Sequence, residues 1–392
     1  PVRTVVNPFT GREAAQHIAE ESIVLLRNED HILPLKPGGD SSIAIIGSHA
    51  DVGVLSGGGS AQVDAPGGNA ADPQPGGSRW GVPIYFPSSP LKYIRKKSPA
   101  ASIQYIDGKD TAAAANLAKN STLAIVFVTQ PMREGQDAPT LSLPDNQDAL
   151  VEAVTAANPN TIVVLETGGP VSMPWANKVK GIVEMWYPGI GGAQALANIL
   201  FGDVDPSAKL PVTFAKDDAQ LPHPVVPGLE QATKIAGADR HHQVKPFDLR
   251  YTEGAKVGYK WFEATHQQPL FPFGFGLSYT SYAYSSLTVD DAARSVHFTV
   301  KNTGEREGTE IAEVYVKLPA AANEDYQRLV AWQRVKLAPG KSKDVTLALN
   351  PLYLSVFDTA KDGWQLLPGD YKVMAGTSSS DLALDATLHV KP

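Results

Sequence analysis

Apolar positions recur at three- and four-residue spacing from Gly11 to about Arg27. Ala15, Ile18, Ala19, Ser22, Ile23 and Leu26 fall on one face, and the spacing predicts a helix. A turn at Asn28-Glu-Asp follows, and then a continuous apolar run, Ser42-Ile-Ala-Ile-Ile46, which predicts a buried strand ended by Gly47. From Ser102 the pattern alternates. Strands are predicted at Ile103–Ile106, Leu123–Val128, Thr161–Leu165 and Val179–Trp186. Helices are predicted at Thr111–Lys119, Asn146–Ala157 and Gly191–Phe201. Unbroken apolar strands alternating with helices specify a parallel or mostly parallel sheet sandwiched by helices.

Beyond Tyr282 the period changes to two. Val296-His-Phe-Thr-Val300, Ile311–Lys317 and Val345-Thr-Leu-Ala-Leu349 alternate, with turns at Asn302-Thr-Gly304, Leu337-Ala-Pro-Gly340 and Pro368-Gly-Asp370. Short strands at about ten-residue spacing, without a helical pattern, predict an all-β sandwich of immunoglobulin-like type. The expected organisation is an α/β domain over 1–225, a connector crossing the domain surface over 226–281, and a β-sandwich over 282–392. A Gly/Pro/Ser-rich stretch from about Gly53 to Pro90 interrupts the first domain, and a loop of that length is usually functional.

The 392 residues include 43% hydrophobic and 19% charged side chains, the composition of folded domains. A net charge of −7 disfavours nucleic acid, which needs clustered Lys and Arg. No apolar run reaches the roughly 18 residues that would span a bilayer. The absence of Cys excludes disulfides and thiolate metal sites. The chain opens Pro1-Val-Arg-Thr, with neither a signal peptide nor an initiator Met, and reads as starting inside a longer gene product.

Several segments, in order, resemble glycoside hydrolase family 3, the β-glucosidase family. They are Ala14–Arg27 with Leu33-Pro-Leu, Ile45-Ile-Gly-Ser-His-Ala-Asp51 with Gly57-Gly-Gly-Ser60, and Glu134-Gly-Gln-Asp137 with Leu141–Gln147. Pro170–Trp175, Trp186-Tyr-Pro-Gly189, Phe201–Pro206 with Lys209–Thr213, Tyr251-Thr-Glu-Gly254, Gly258–Trp261 and Phe271–Thr280 continue the series. The resemblance implies a (β/α)8 barrel, then an α/β sandwich, then a fibronectin-III-like domain, and this chain matches only the last two. It further implies a retaining exo-β-glucosidase, acting without a cofactor, whose nucleophilic Asp lies on the barrel. The implied partners are a β-glucoside or cello-oligosaccharide and the N-terminal barrel of the same product; the implied location is periplasmic or secreted. With the barrel missing, a large uncovered apolar face is expected, and with it aggregation or a homodimer.

Retaining chemistry needs two carboxyl groups about 5–5.5 Å apart, a nucleophile and an acid/base. Glu134 lies after the strand that ends near Thr129, where open α/β sheets gather functional groups. By position alone it reads as a solvated loop residue; the resemblance makes it the general acid/base. Asp137 is a turn cap or an orienter in the same loop. Arg133 is either a sugar contact or a partner that would depress the acid's pKa, and is expected to point away. Gly59, Ser60 and Gln62 are placed by the resemblance at the rim of the sugar pocket, and a surface loop is the plain alternative. Gly57-Gly-Gly-Ser60 lacks the G-x-G-x-x-G spacing and the Lys-Ser/Thr pair of a phosphate loop. His241-His242 has no i, i+4 partner for a metal and reads as a solvated pair, and Glu166 reads as structural. Two other functions remain open: a non-catalytic carbohydrate-binding or scaffold fragment, and the same chemistry on β-xylosides or arabinosides.

Overall fold

The computed structural model describes residues 7, 10–36, 38, 41–60, 84–85, 89–135, 138–226 and 248–391. The first layer is a six-stranded sheet made of β1 (Val24–Asn28), β2 (Ser42–Ile46), β5 (Ser102–Ile106), β6 (Leu123–Gln130), β7 (Thr161–Thr167) and β8 (Gly181–Glu184). A short pair, β3 (Val54–Ser56) with β4 (Ile84–Tyr85), stands apart from it. The sheet order is β1-β8-β7-β6-β2-β5; β1 runs antiparallel to β8 and the other neighbours are parallel.

Alternation along these strands splits the core into two faces. Ala44, Ile46, Val126, Val128 and Val163 pack under α3 (Thr111–Lys119) and α4 (Gln147–Ala157) with the fully buried Trp175. Ile43, Ile45, Ile125, Phe127 and Val164 pack under α1 (Arg12–Glu20), α2 (Pro90–Lys97) and α5 (Gly192–Leu200). The expected helix from Gly11 to Arg27 is therefore half wrong: it stops at Glu20, and Ile23, Val24, Leu25 and Leu26 are buried as an edge strand. Four consecutive apolar residues satisfy a two-faced buried strand better than one helix stripe, because both faces of this sheet are covered.

The segment after the sheet closes it. Residues 208–214 and 270–277 are joined by Leu210 N–H to Phe275 O at 2.8 Å and Phe214 N–H to Phe271 O at 2.9 Å, and Leu277 N–H bonds to Leu25 O at 2.8 Å. Phe271 and Phe275 stack beside the first core. Phe273 instead meets Tyr259 of α6 (Tyr259–Ala264), whose ring also packs on Tyr315 in the second domain. The aromatic-glycine run thus packs on both domains.

The second domain is a sandwich of two antiparallel sheets. One comprises β9 (Tyr282–Asp290), β10 (Ser295–Asn302) and β13 (Ser342–Ala348). The other comprises β11 (Gly308–Lys317), β12 (Gln327–Leu337), β16 (Gly369–Gly376) and β17 (Leu384–Val390). Their inner faces share a core around Phe298, Val300, Val314, Val316, Val335 and Tyr371. A small hairpin, β14 (Val356–Asp358) and β15 (Gly363–Gln365), carries Phe357 against Trp364.

At the seam between the domains sits a buried charged group. Lys209 Nζ lies 3.4 Å from Glu310 Oε1, with the two side chains 9% and 4% exposed, and donates to Gly276 O at 3.1 Å. Tyr284 OH donates to Glu310 and Tyr315 OH to Glu313. Gly274, at φ 81°, lies flat against the Glu313 carboxyl, where a Cβ would come within 2.2 Å of Oε2. Burial pushes Glu310 up against the pull of Lys209, and raises Glu313 to about 7.

The large apolar face expected on the α/β domain is not found among the described residues. Among the described residues, the large hydrophobic side chains exposed there are Ile18 and, at the domain's last residue, Val225, and the others lie on the connector and the sandwich. No helix among the described residues is long and apolar enough to cross a membrane.

Candidate functional site

In the sheet order, the chain leaves β2 toward β5 on one side and resumes at β6 on the other. Loops from neighbouring strands that depart in opposite directions open a crevice beyond their carboxyl ends, where open α/β folds place ligands. The loop after β2, continuing through β3 to Ser60, and the loop after β6 that carries Glu134 meet here.

They meet as a short ladder. Gly58 N–H donates to Met132 O at 3.0 Å, Glu134 N–H donates to Gly58 O at 3.2 Å, and Gly58 and Arg133 form a parallel bridge. Gly59 is at φ 100°, and a Cβ on it would lie 2.4 Å from Glu134 Cβ, so only glycine lets the two loops approach this closely. Ser60 caps the contact: its N–H donates to Glu134 Oε2 at 2.7 Å and its hydroxyl donates to the same oxygen. These two bonds, the hydroxyl's first, hold the Glu134 carboxyl below its ordinary range. Glu134 and Arg133 are both exposed.

The loop is also held from beneath. Tyr187 OH donates to Gln130 O and accepts the Met132 N–H at 2.9 Å. Tyr187 follows Trp186, which stands at φ 56° with its N–H bonded to Glu184 Oε1 at 2.7 Å; the other Glu184 oxygen accepts the Thr167 hydroxyl at 2.9 Å. Burial lifts the Glu184 carboxyl well above the usual range. Removing the phenol hydroxyl in Tyr187→Phe takes away two hydrogen bonds, each worth about 1 kcal/mol. The Met132 amide is expected to exchange with solvent roughly tenfold faster, measured by hydrogen exchange at constant pH; unchanged protection would show that the loop is fixed without Tyr187.

Of the residues singled out in the sequence, Glu134, Arg133, Gly59 and Ser60 are brought together. Gln62, Asp137 and the His241-His242 pair lie outside the described residues. Glu166 is fully buried in β7, with no hydrogen bond to either oxygen, and burial raises its carboxyl well above the usual range. The nearby Val54 N–H pulls the other way without reaching hydrogen-bond geometry. Sequence reasoning misses Tyr187 and Glu184 as site residues; the Trp186-Tyr-Pro-Gly189 run carries the family resemblance but no signal of a place under the loop. Among the described residues, no group of three or more His, Asp or Glu is placed to hold a metal ion.

Comparison with known proteins agrees along the whole chain. The glycosyl hydrolase family 3 C-terminal domain matches residues 23–279, and a fibronectin type III-like domain matches residues 310–379. Thermostable beta-glucosidase B of Acetivibrio thermocellus is 33% identical over 389 residues, covering 96% of this chain and 48% of that protein. A beta-glucosidase of Rhizobium radiobacter is 35% identical over 71% of this chain and 34% of its own length. The crystal structure of DesR, a beta-glucosidase from Streptomyces venezuelae in complex with D-glucose, superposes with a TM-score of 0.82 at 28% identity, over 98% of this chain and 60% of that one. The chain spans about half the length, or less, of these two curated relatives. It belongs to glycoside hydrolase family 3 and corresponds to the C-terminal portion of the family's β-glucosidases.

Proposed function

We propose that this chain supplies the general acid/base of a retaining β-glucosidase, with Glu134 as that residue and the nucleophile on a (β/α)8 barrel of the kind the family resemblance implies. The observation that carries the reading is the position of Glu134. It is an exposed carboxyl on a braced loop, beyond the strand ends at the sheet's switch point, where it can enter a pocket formed by another domain. In the first half-reaction Glu134 protonates the departing glycosidic oxygen as the nucleophile attacks the anomeric carbon. In the second it takes a proton from the water that releases the sugar. No cofactor enters this chemistry.

A single carboxylate cannot run a double displacement. The purified chain is therefore expected to hydrolyse aryl β-glucosides at the uncatalysed rate. Turnover by the chain alone, abolished by one point substitution, would refute the division of labour. The direct test joins the unmatched N-terminal part of the Acetivibrio thermocellus relative to this chain and asks whether β-glucosidase activity appears and depends on Glu134. A folded but inactive chimera would leave the proposal without support from complementation. An active chimera indifferent to Glu134 would overturn it.

A further inference from the structure

Ser60 is an exposed residue, and both of its donors, N–H and hydroxyl, are bonded to one oxygen of the Glu134 carboxyl. We infer that Ser60 is a positioning residue for Glu134, one that holds the side chain on the glycine ladder as a carboxylate and must be displaced, or loosened, before the group carries a proton. This inference concerns how the proposed acid/base is controlled, and its catalytic consequence rests on that proposal; the contact itself does not.

The geometry is specific. A carboxylate oxygen accepting an N–H and an O–H from one residue is favoured over a carboxylic acid, which has a proton of its own to place. The ladder from Gly58 to Met132 and Glu134 holds the two backbones side by side, which keeps the Ser60 donors within reach of the Glu134 side chain. Gly59 admits Glu134 by lacking a Cβ. Among the described residues, the groups acting on the Glu134 carboxyl are the Ser60 hydroxyl and N–H. Arg133 is its chain neighbour, and the Tyr187 phenol lies beneath the loop at Met132.

A general acid works best with a raised pKa, whereas this contact lowers it. The held form is instead the one needed for the second half-reaction, in which the carboxylate must accept a proton from water. A leaving group seated in the crevice would compete with Ser60 for Glu134, so the acid form would be favoured once substrate is in place. The proposal thus gives Ser60 a part in switching one residue between two opposite duties.

The test needs no activity. In this chain, labelled with carbon-13 at the glutamate carboxyls, the Glu134 resonance is assigned by its loss in Glu134→Gln and titrated. Ser60→Ala removes the hydroxyl, and the midpoint of Glu134 is expected to move to higher pH while other surface glutamates stay in place. Ser60→Thr, which keeps the hydroxyl, should leave it near the parent value. Gly59→Ala, which forces the loops apart, should move it in the same direction as Ser60→Ala. An unmoved midpoint in both Ser60→Ala and Gly59→Ala would overturn the inference. In the active chimera, Ser60→Ala should carry the alkaline limb of the kcat/KM profile upward, since that limb reports the acid in the free enzyme. If the resonance moves and the limb does not, Ser60 positions Glu134 but Glu134 is not the acid, so the two failures are separable.

Discussion

Glu313→Gln is expected to stabilise the protein at pH 8 by up to about 3 kcal/mol and to leave it nearly unchanged at pH 4. The reason is the burial of a carboxyl whose pKa is raised from 4.5 to about 7. A group that holds its proton more tightly when folded adds no penalty while both states are protonated, below about pH 4.5. As pH rises from there, the unfolded chain ionises first, and stability falls until the folded group ionises near 7; above that the loss is constant. At about 1.4 kcal/mol per pKa unit, the full lift would amount to roughly 3–4 kcal/mol, which sets the stated order of magnitude. Glutamine keeps an acceptor for the Tyr315 hydroxyl and removes the charge. Urea unfolding of the parent and variant at pH 4, 6 and 8 should give curves that diverge with pH. Parallel curves would show that Glu313 is relaxed or hydrated at the seam. The companion change Lys209→Met should act in the opposite sense. It leaves Glu310 buried without its cation, a loss of about 3–5 kcal/mol while the carboxyl stays charged and less where it protonates. That deficit too should be largest at high pH.

The seam also shows where sequence reading stops. Alternation along β11 puts Glu310 and Glu313 on opposite faces of the strand, and a lone sheet would leave the Glu313 face in water. It is buried because the connector lays Tyr259 and Gly274 over it, a contact between segments far apart in sequence that no local pattern carries. The β-strands of the sandwich and the parallel strands of the sheet were legible for the opposite reason: period and apolar run length are local signals. The first helix failed at Ile23 because the same apolar residues fit a helix stripe or an edge strand, and only the free edge of β8 decides between them.

The site divides in the same way. Glu134 lies after an apolar strand and before a helix, so its place at a strand end is readable, and the ordered motifs suggest the role proposed for it. That Gly57-Gly-Gly-Ser60 joins it was suggested by the resemblance alone; the ladder pairing Gly58 with Met132 and Arg133 depends on β2 and β6 being neighbours in space. The brace through Tyr187 and Glu184 was not readable. A buried Glu at a strand end looks the same in sequence whether its oxygens go without a hydrogen bond, as those of Glu166 do, or hold a turn beneath the Glu134 loop, as Glu184 does.

The largest effect is expected of Glu134→Ala in the active chimera, and its size should depend on the leaving group. A sugar hydroxyl is a poor leaving group and needs a proton as it departs, so cellobiose hydrolysis should fall by about 10²–10⁴-fold, the usual reach of general acid catalysis. Dinitrophenolate leaves without one, so glycosylation of the nucleophile by dinitrophenyl glucoside should be nearly spared. That substrate should then show a burst followed by slow turnover, because water attacks the glycosyl-enzyme without its base. Azide needs no base, so it should restore turnover and yield the β-glycosyl azide, with the retained configuration of a double displacement. Loss of Ser60 should not mimic this pattern, since Ser60→Ala leaves the carboxyl in place and changes only when it is charged. If Glu134→Ala suffers equally on both substrates and azide does nothing, the acid/base lies elsewhere on the loop, and Asp137, three residues on, is the carboxylate to replace next.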